Sequence, residues 1–231
     1  MWRRLGNVVV TKQDTEQMAV VQKMYPDVSH ETFNRLALYV DLVRKWQPAQ
    51  NLIAPKTLPD IWIRHVADSI QIQKTIPDAR NWIDFGSGAG FPGLVTAILL
   101  ADEPEALVHL VESNQRKAAF LRTVARETGC KVQVHAGRIE SVTENWTQPI
   151  DAISARALAS LAVLCGFSAR LIQQGATAVF HKGQDFQREI EEASHEWSLD
   201  LVEHKSRVDP LSRVLVIRGM EPATAGRGPV S

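Results

Sequence analysis

Asp84-Phe85-Gly86-Ser87-Gly88-Ala89-Gly90-Phe91-Pro92-Gly93 follows a short apolar run at residues 82–85 and opens an apolar, helix-length segment that reaches Leu100. A strand that ends in closely spaced glycines and restarts as a helix presents backbone N–H groups where a ligand can approach the main chain. Pro92 has its φ pre-set for a first helical turn, so a helix is predicted over about residues 92–100. Further short apolar runs at residues 106–111, 132–134, 151–155 and 176–180 alternate with helix-length segments. That alternation is the pattern of a parallel sheet covered on both faces. Residues 199–203 and 213–217 are joined by a Pro210-containing link too short for a parallel crossover, so they are expected to form an antiparallel edge hairpin. The fold class so read is α/β and Rossmann-like, with a mostly parallel seven-stranded sheet.

Upstream of the turn the period changes. Phe33, Leu36, Ala37, Val40, Val43 and Trp46 recur at spacings of three and four, and segments over about residues 15–74 read as helices. The expected organisation is an N-terminal helical region over 1–80 packed on a ligand-binding domain over 81–219. A tail over 220–231, rich in Gly, Pro and Ala, is expected to be disordered, because it has too little apolar surface to offset the entropy of ordering.

Composition narrows the classes. With 231 residues, 45% of them apolar, the chain can build a substantial core. Its 26 basic and 26 acidic side chains cancel, so a polyanion would have to be held by a local patch. Cys130 and Cys165 form no Cys-x-x-Cys or His-containing metal spacing; they read as packing residues, with no metal site expected and a reducing, cytoplasmic compartment. Arg3 and Arg4 precede an apolar stretch of only residues 8–10, too short for a signal peptide or a membrane span.

Two ligand classes want such a turn. Gly88, Gly90 and Gly93 satisfy the dinucleotide spacing, with a pyrophosphate at the helix N-terminus. Gly86, Gly88 and Gly90, preceded by Asp84, instead suit S-adenosylmethionine, whose methionine ammonium a carboxylate attracts directly or through water. Asp84 tips the reading toward S-adenosylmethionine. Glu112, just after the 106–111 run, can accept hydrogen bonds from both hydroxyls of a ribose, which either ligand carries. Gly137-Arg138-Ile139-Glu140 follows the third strand where an adenine would rest, with Ile139 available to its face. Singly, each feature is as readily a tight connection or a solvated acid; in order on consecutive strands they point to a nucleoside. Trp62, Trp82 and Trp146 read as buried aromatics rather than base-stacking ones.

The fourth strand ends Ser154-Ala155-Arg156-Ala157, without the Asn- or Asp-Pro-Pro-aromatic motif that accepts an exocyclic amine's hydrogens. Neither cysteine falls there, which gives no support to covalent addition to a pyrimidine. An acceptor with a ready lone pair remains, and guanine N7 fits, asking for positioning and charge control more than for a base. A dinucleotide oxidoreductase, a small-molecule methyltransferase and a non-enzymatic nucleoside sensor stay open on these residues alone.

Trp46, Asn51-Leu52, Arg64-His65 with Asp68-Ser69, the turn 86–93, Glu112-Ser113 with Lys117 and Phe120-Leu121, Ser154-Ala155-Arg156-Ala157, and Lys182-Gly183 form a combination that is more than a general ligand-turn signature. With these residues the chain, from about residue 33 to 219, resembles the small-subunit ribosomal RNA methyltransferase G family, also called glucose-inhibited division protein B. The resemblance implies methylation of a guanine N7 in 16S ribosomal RNA with S-adenosylmethionine as donor; the RNA is expected within the 30S subunit or an assembly intermediate, and the protein is expected to be a cytoplasmic monomer. The resemblance further implies cofactor contacts at Gly86, Phe91, Ile139, Glu140 and Arg156. Arg156 and His65 are then the candidate catalytic residues. Arg156 would meet RNA phosphate or guanine O6, against the alternative of an ion pair with Asp151 or Glu140. His65, three residues from Asp68, would bond the acceptor base or tie the helical region to the sheet. Lys182, Arg116, Lys117, Arg122, Arg126 and Arg138 are the candidate RNA contacts, against the alternative of an ordinary charged surface.

Overall fold

The computed structural model describes residues 8–223. Two helices lead, α1 (Lys12–Met24) and α2 (His30–Gln50). Thr11 caps α1 by accepting from the Asp14 amide at 3.1 Å, while the Asp14 carboxylate accepts from the Thr11 amide at 2.8 Å. This reciprocal pair satisfies donors that have no partner inside the helix. Asp14 also accepts two Arg44 N–H groups at 2.6 Å, which ties α1 to α2. The stripe Phe33, Leu36, Ala37, Val40 and Val43 is buried as its spacing predicts. A 3-10 turn (Pro55–Asp60), a π turn (Trp62–Ala67) and α3 (Asp68–Thr75) complete the helical region.

The remainder alternates: β1 (Asn81–Phe85), α4 (Gly93–Leu99), β2 (Leu107–Val111), α5 (Gln115–Thr128), β3 (Val132–His135), α6 (Ile139–Thr143), β4 (Ala152–Arg156), α7 (Leu161–Gln173), β5 (Thr177–Lys182), α8 (Phe186–Ser194), β6 (Trp197–Lys205) and β7 (Arg213–Pro222). The seven strands run in the order β3-β2-β1-β4-β5-β7-β6. β1 to β5 are parallel, and β7 is antiparallel to both β5 and β6. The α/β reading with an antiparallel edge hairpin therefore holds. Strand alternation divides the interior. Trp82, Val108 and Leu110 join α1 to α5 in one core, and Ile83, Phe85 and Val111 join α6 to α8 in the other. The N-terminal helices thus share a core with one face of the sheet.

Chain order reverses between β1 and β4. β2 and β3 lie on one side of β1, and β4 starts the other half. The crevice beyond the carboxyl ends of these two strands is where open α/β sheets bind ligands.

Two boundaries differ from the sequence reading. The helix after the turn begins at Gly93 because Pro92, joined to Phe91 by a cis peptide, sits before its first turn as the cap. β7 continues through Met220 to Pro222 because Met220 is buried and pairs with Leu199, so order persists into the stretch expected to be disordered. Residues 224–231 of that tail lie outside the described residues. Trp62, Trp82 and Trp146 are buried, as are the free cysteines Cys130 and Cys165. Among the described residues no helix is long and apolar enough to cross a membrane, and no group of three or more His, Cys, Asp or Glu could hold a metal ion.

Candidate active site

A cleft of about 960 Å³ opens at the reversal point, bounded by the Gly-rich turn, the ends of β2, β4 and β5, and the Leu52–Thr57 lip of the helical region. Its volume lies at the upper end of the roughly 300–1,000 Å³ typical of ligand pockets. Gly86, Gly88 and Phe91 line it, with Glu112, Gly137, Arg138, Ile139 and Glu140 beyond them. The turn is sewn to the end of β2: the Ser87 amide donates to the Val111 carbonyl at 2.9 Å and the Gly88 amide to Glu112 Oε2 at 2.8 Å. Glu112 Oε1 accepts from the Asn114 amide at 2.7 Å. Each carboxylate oxygen keeps a further lone pair, so the side chain can still accept from two hydroxyls. The helical region braces the turn from behind, with the Tyr39 hydroxyl donating to the Ala89 carbonyl at 2.7 Å.

Asp84 and Gly90 do not line the cleft. Asp84 shares the β1 face of Trp82, which turns it beneath α4, where it is 1% exposed. A Cβ on Gly93 would stand 2.6 Å from Asp84 Oδ2 and 2.5 Å from Leu110, and one on Gly90 would collide with Leu94. These two glycines therefore let α4 pack on the sheet rather than admit a ligand. Asp84 is corrected from a cofactor contact to a support of the turn, its Oδ1 accepting from the Ser154 hydroxyl at 2.6 Å.

Burial pushes the Asp84 carboxyl up to about 6, and bonds from Ser154, Ser87 and Gly93 with the Arg156 charge only partly oppose it. Between its unfolded and folded values the native state holds a proton that the unfolded chain releases, so stability falls as pH rises through that window. Relative to Asp84→Asn, the wild type is expected to lose about 2 kcal/mol between about pH 4 and pH 7. Urea unfolding of both proteins at the two pH values measures this; a pH-independent difference refutes it.

Arg156, at the end of β4, is enclosed on three sides. It donates to the Arg64 carbonyl at 3.1 Å, to Asp68 Oδ2 at 3.3 Å and to His65 Nδ1 at 2.7 Å, and lies 5.5 Å from the Phe91 ring centre. Its acid is Asp68, neither Asp151 nor Glu140; Asp151 instead accepts from the Arg80 and Asn81 amides. The other oxygen of Asp68 is 3.0 Å from His181 Nε2 on β5. Burial raises the Asp68 carboxyl, but His181 and Arg156 outweigh it and hold the group below its ordinary value.

A guanidinium only donates, so His65 Nδ1 accepts and carries no hydrogen. Nε2 then holds the hydrogen and donates to the Thr57 hydroxyl at 2.8 Å, which donates to the Ala54 carbonyl at 2.8 Å. Burial first, then the Arg156 charge, push the His65 imidazole down to about 3. Both ring nitrogens are committed, so the expectation that His65 bonds the acceptor base gives way to the tie between helical region and sheet.

Of the expected RNA contacts, Lys117, Arg138 and Lys182 line the cleft. Arg116 is exposed beside Lys117 on α5. Arg122 and Arg126 point elsewhere, Arg122 toward the Val134 carbonyl and Arg126 toward Glu127 at 2.9 Å. Lys182 is only 6% exposed, its ammonium donating to the Ala159 carbonyl at 2.6 Å and pairing with Glu189 at 2.5 Å. It is corrected from an exposed RNA contact to a buried ion pair. Tyr39, Thr57, His181, Glu189 and Gln47 also build the site without any local sequence signal; the Gln47 side chain bonds both the amide and the carbonyl of Ile53 in the lip.

Among solved structures, cofactor-bound Rv0187 from MTB superposes with a TM-score of 0.59 at 13% identity, over 91% of this chain and 99% of that one. The O-methyltransferase from Bacillus cereus in complex with SAH superposes with a TM-score of 0.54 at 12% identity, over 86% and 95% of the two chains. These likenesses show the fold, that of class I methyltransferases. In sequence, the ribosomal RNA small subunit methyltransferase G of Brucella anthropi is 45% identical over 205 residues, 89% of this chain and 96% of the relative. The protein of the same name from Bradyrhizobium sp. strain BTAi1 is 43% identical over 219 residues, 95% of this chain and 98% of the relative. Residues 32–213 match the family described as rRNA small subunit methyltransferase G, and with that span and these identities the chain belongs to it.

Proposed function

We propose that this protein transfers a methyl group from S-adenosylmethionine to N7 of a guanine in 16S ribosomal RNA, on the small subunit or a precursor of it. The observation that carries the reading is one cleft in which Glu112 and the Gly-rich turn stand at one end and Arg156 at the other, with Phe91 between them. The residues fit the donor: Glu112 has acceptor capacity for a ribose, Ile139 offers an apolar face, and the glycine turn brings backbone to the cleft wall. S-adenosylmethionine supplies the electrophilic methyl when bound. Gly86, Phe91, Glu112, Ile139 and Glu140 would hold it.

Guanine N7 attacks through an in-plane lone pair and needs no base, which suits a site in which both ring nitrogens of His65, beside Arg156, are committed to the protein. Arg156 commits three of its five N–H donors to the protein, leaving two for guanine O6 without blocking N7. Lys117, Arg138 and the neighbouring Arg116 provide local positive charge for RNA phosphate on a chain of zero net charge. The test is incubation of the purified protein with methyl-labelled S-adenosylmethionine and 30S particles that lack native methylation. Label is expected in the 16S RNA, recovered as 7-methylguanosine after digestion; cofactor binding without transfer refutes the reading.

A further inference from the structure

The segment that follows Arg156 is unusual in conformation and in how it is fastened. Ala157 has φ 52, in the left-handed region that side chains other than glycine rarely adopt. The chain turns sharply there and sets Leu158 over the Gly-rich turn: a Cβ built on Gly86 would fall 2.5 Å from Leu158 Cδ1. Leu158 is nevertheless 38% exposed and lines the cleft, as do Val163 and Phe167 from α7. An exposed apolar side chain is thus held beside the cofactor turn, at the strand end that bears Arg156.

What holds it is the buried ion pair. Lys182 donates to the carbonyl of Ala159, and Glu189 Oε2 accepts the amide of Leu161 at 2.7 Å while pairing with Lys182. One ion pair therefore grips the residues on both sides of Ser160 and fixes the course of the loop after Leu158. A lysine so buried and so fully engaged is poorly placed to bind phosphate as a mobile cation.

We propose that Leu158 is the apolar platform against which the flat face of the acceptor guanine lies, and that Lys182 and Glu189 are positioning residues that clamp its loop. This deepens the functional reading above and rests on it. A guanine whose O6 meets Arg156 must bring its ring close to the residues that follow on the chain, and Leu158 supplies the apolar surface there. Stacking on such a surface tolerates any base, so guanine selection falls to the polar groups around Arg156.

Steady-state methylation of 30S particles by Leu158→Ala and Leu158→Phe, with cofactor affinity measured separately by calorimetry, tests the platform. Leu158→Ala is expected to lower kcat/KM for the particle about tenfold or more, and Leu158→Phe to stay within about threefold of wild type. Cofactor affinity should change by less than about twofold in both. Undiminished kcat/KM in Leu158→Ala, or a cofactor affinity that falls as far as turnover, overturns the platform. The charge-free double variant Lys182→Met, Glu189→Leu tests the clamp without leaving a buried ion unpaired. It should reproduce the Leu158→Ala loss while keeping the wild-type slope of log KM against log salt; a slope reduced by about one marks a phosphate contact instead and overturns the clamp. Wild-type transfer reports on the functional reading itself, and the ratio of variant to wild type reports on the platform.

Discussion

Asp68→Ala is expected to lower the free energy of unfolding by about 3–5 kcal/mol, because it removes one partner of a buried ion pair and strands the other. Asp68 and Arg156 are both largely buried at 3.3 Å, and Asp68 also accepts from Gln71 at 2.6 Å and faces His181. The pair fastens α3 to the ends of β4 and β5, so the loss should loosen the junction between helical region and sheet. Asp68→Asn, which keeps hydrogen bonding but not charge, should lose less. The Asp68 carboxyl sits below its ordinary value of 3.8 in the fold, so its contribution is present above that value and disappears as pH falls through the depressed one. Guanidinium unfolding of wild type and both variants at neutral pH and near pH 3 measures this; a loss below about 1 kcal/mol for alanine would place the pair among weak surface bridges.

The second large effect concerns cofactor affinity. Glu112→Ala is expected to weaken S-adenosylmethionine binding by about a hundredfold or more, since two hydrogen bonds to a charged acceptor are each worth about 1.5–3 kcal/mol. Part of the loss comes through the turn, because Glu112 also holds the amides of Gly88 and Asn114. Glu112→Gln retains one acceptor oxygen and should fall between. Calorimetry with S-adenosylmethionine and its demethylated product decides, and an unchanged affinity in the alanine variant would remove Glu112 from the ribose role.

Much of the fold was legible because its signals are local. The glycine turn, the acid one strand later and the apolar runs each lie within a few residues, and all appear where their spacing put them. The assignment of Asp84 to the cofactor ammonium overlooks a local signal: its two-residue spacing from buried Trp82 places it on the α4 face, opposite Ile83 and Phe85. What the sequence withheld is long-range. Arg156 finds Asp68 across 88 residues, and Tyr39 reaches Ala89 across 50. No local pattern marks such pairs. The π turn at residues 62–67 has no periodic signature either, although π turns recur at functional sites. Lys182 was misplaced because a strand-end lysine is usually solvated, and only α8 packing Glu189 against it shows otherwise.

The most direct test is to map the methylated position. 30S particles lacking native methylation, incubated with the protein and S-adenosylmethionine, are stripped to 16S RNA, cleaved chemically at 7-methylguanine and read by primer extension. The expected result is one new cleavage at a single guanine, absent with Arg156→Ala. Methyl transfer that leaves no such cleavage, or cleavage spread over many guanines, would contradict a guanine-N7 enzyme with one specific acceptor.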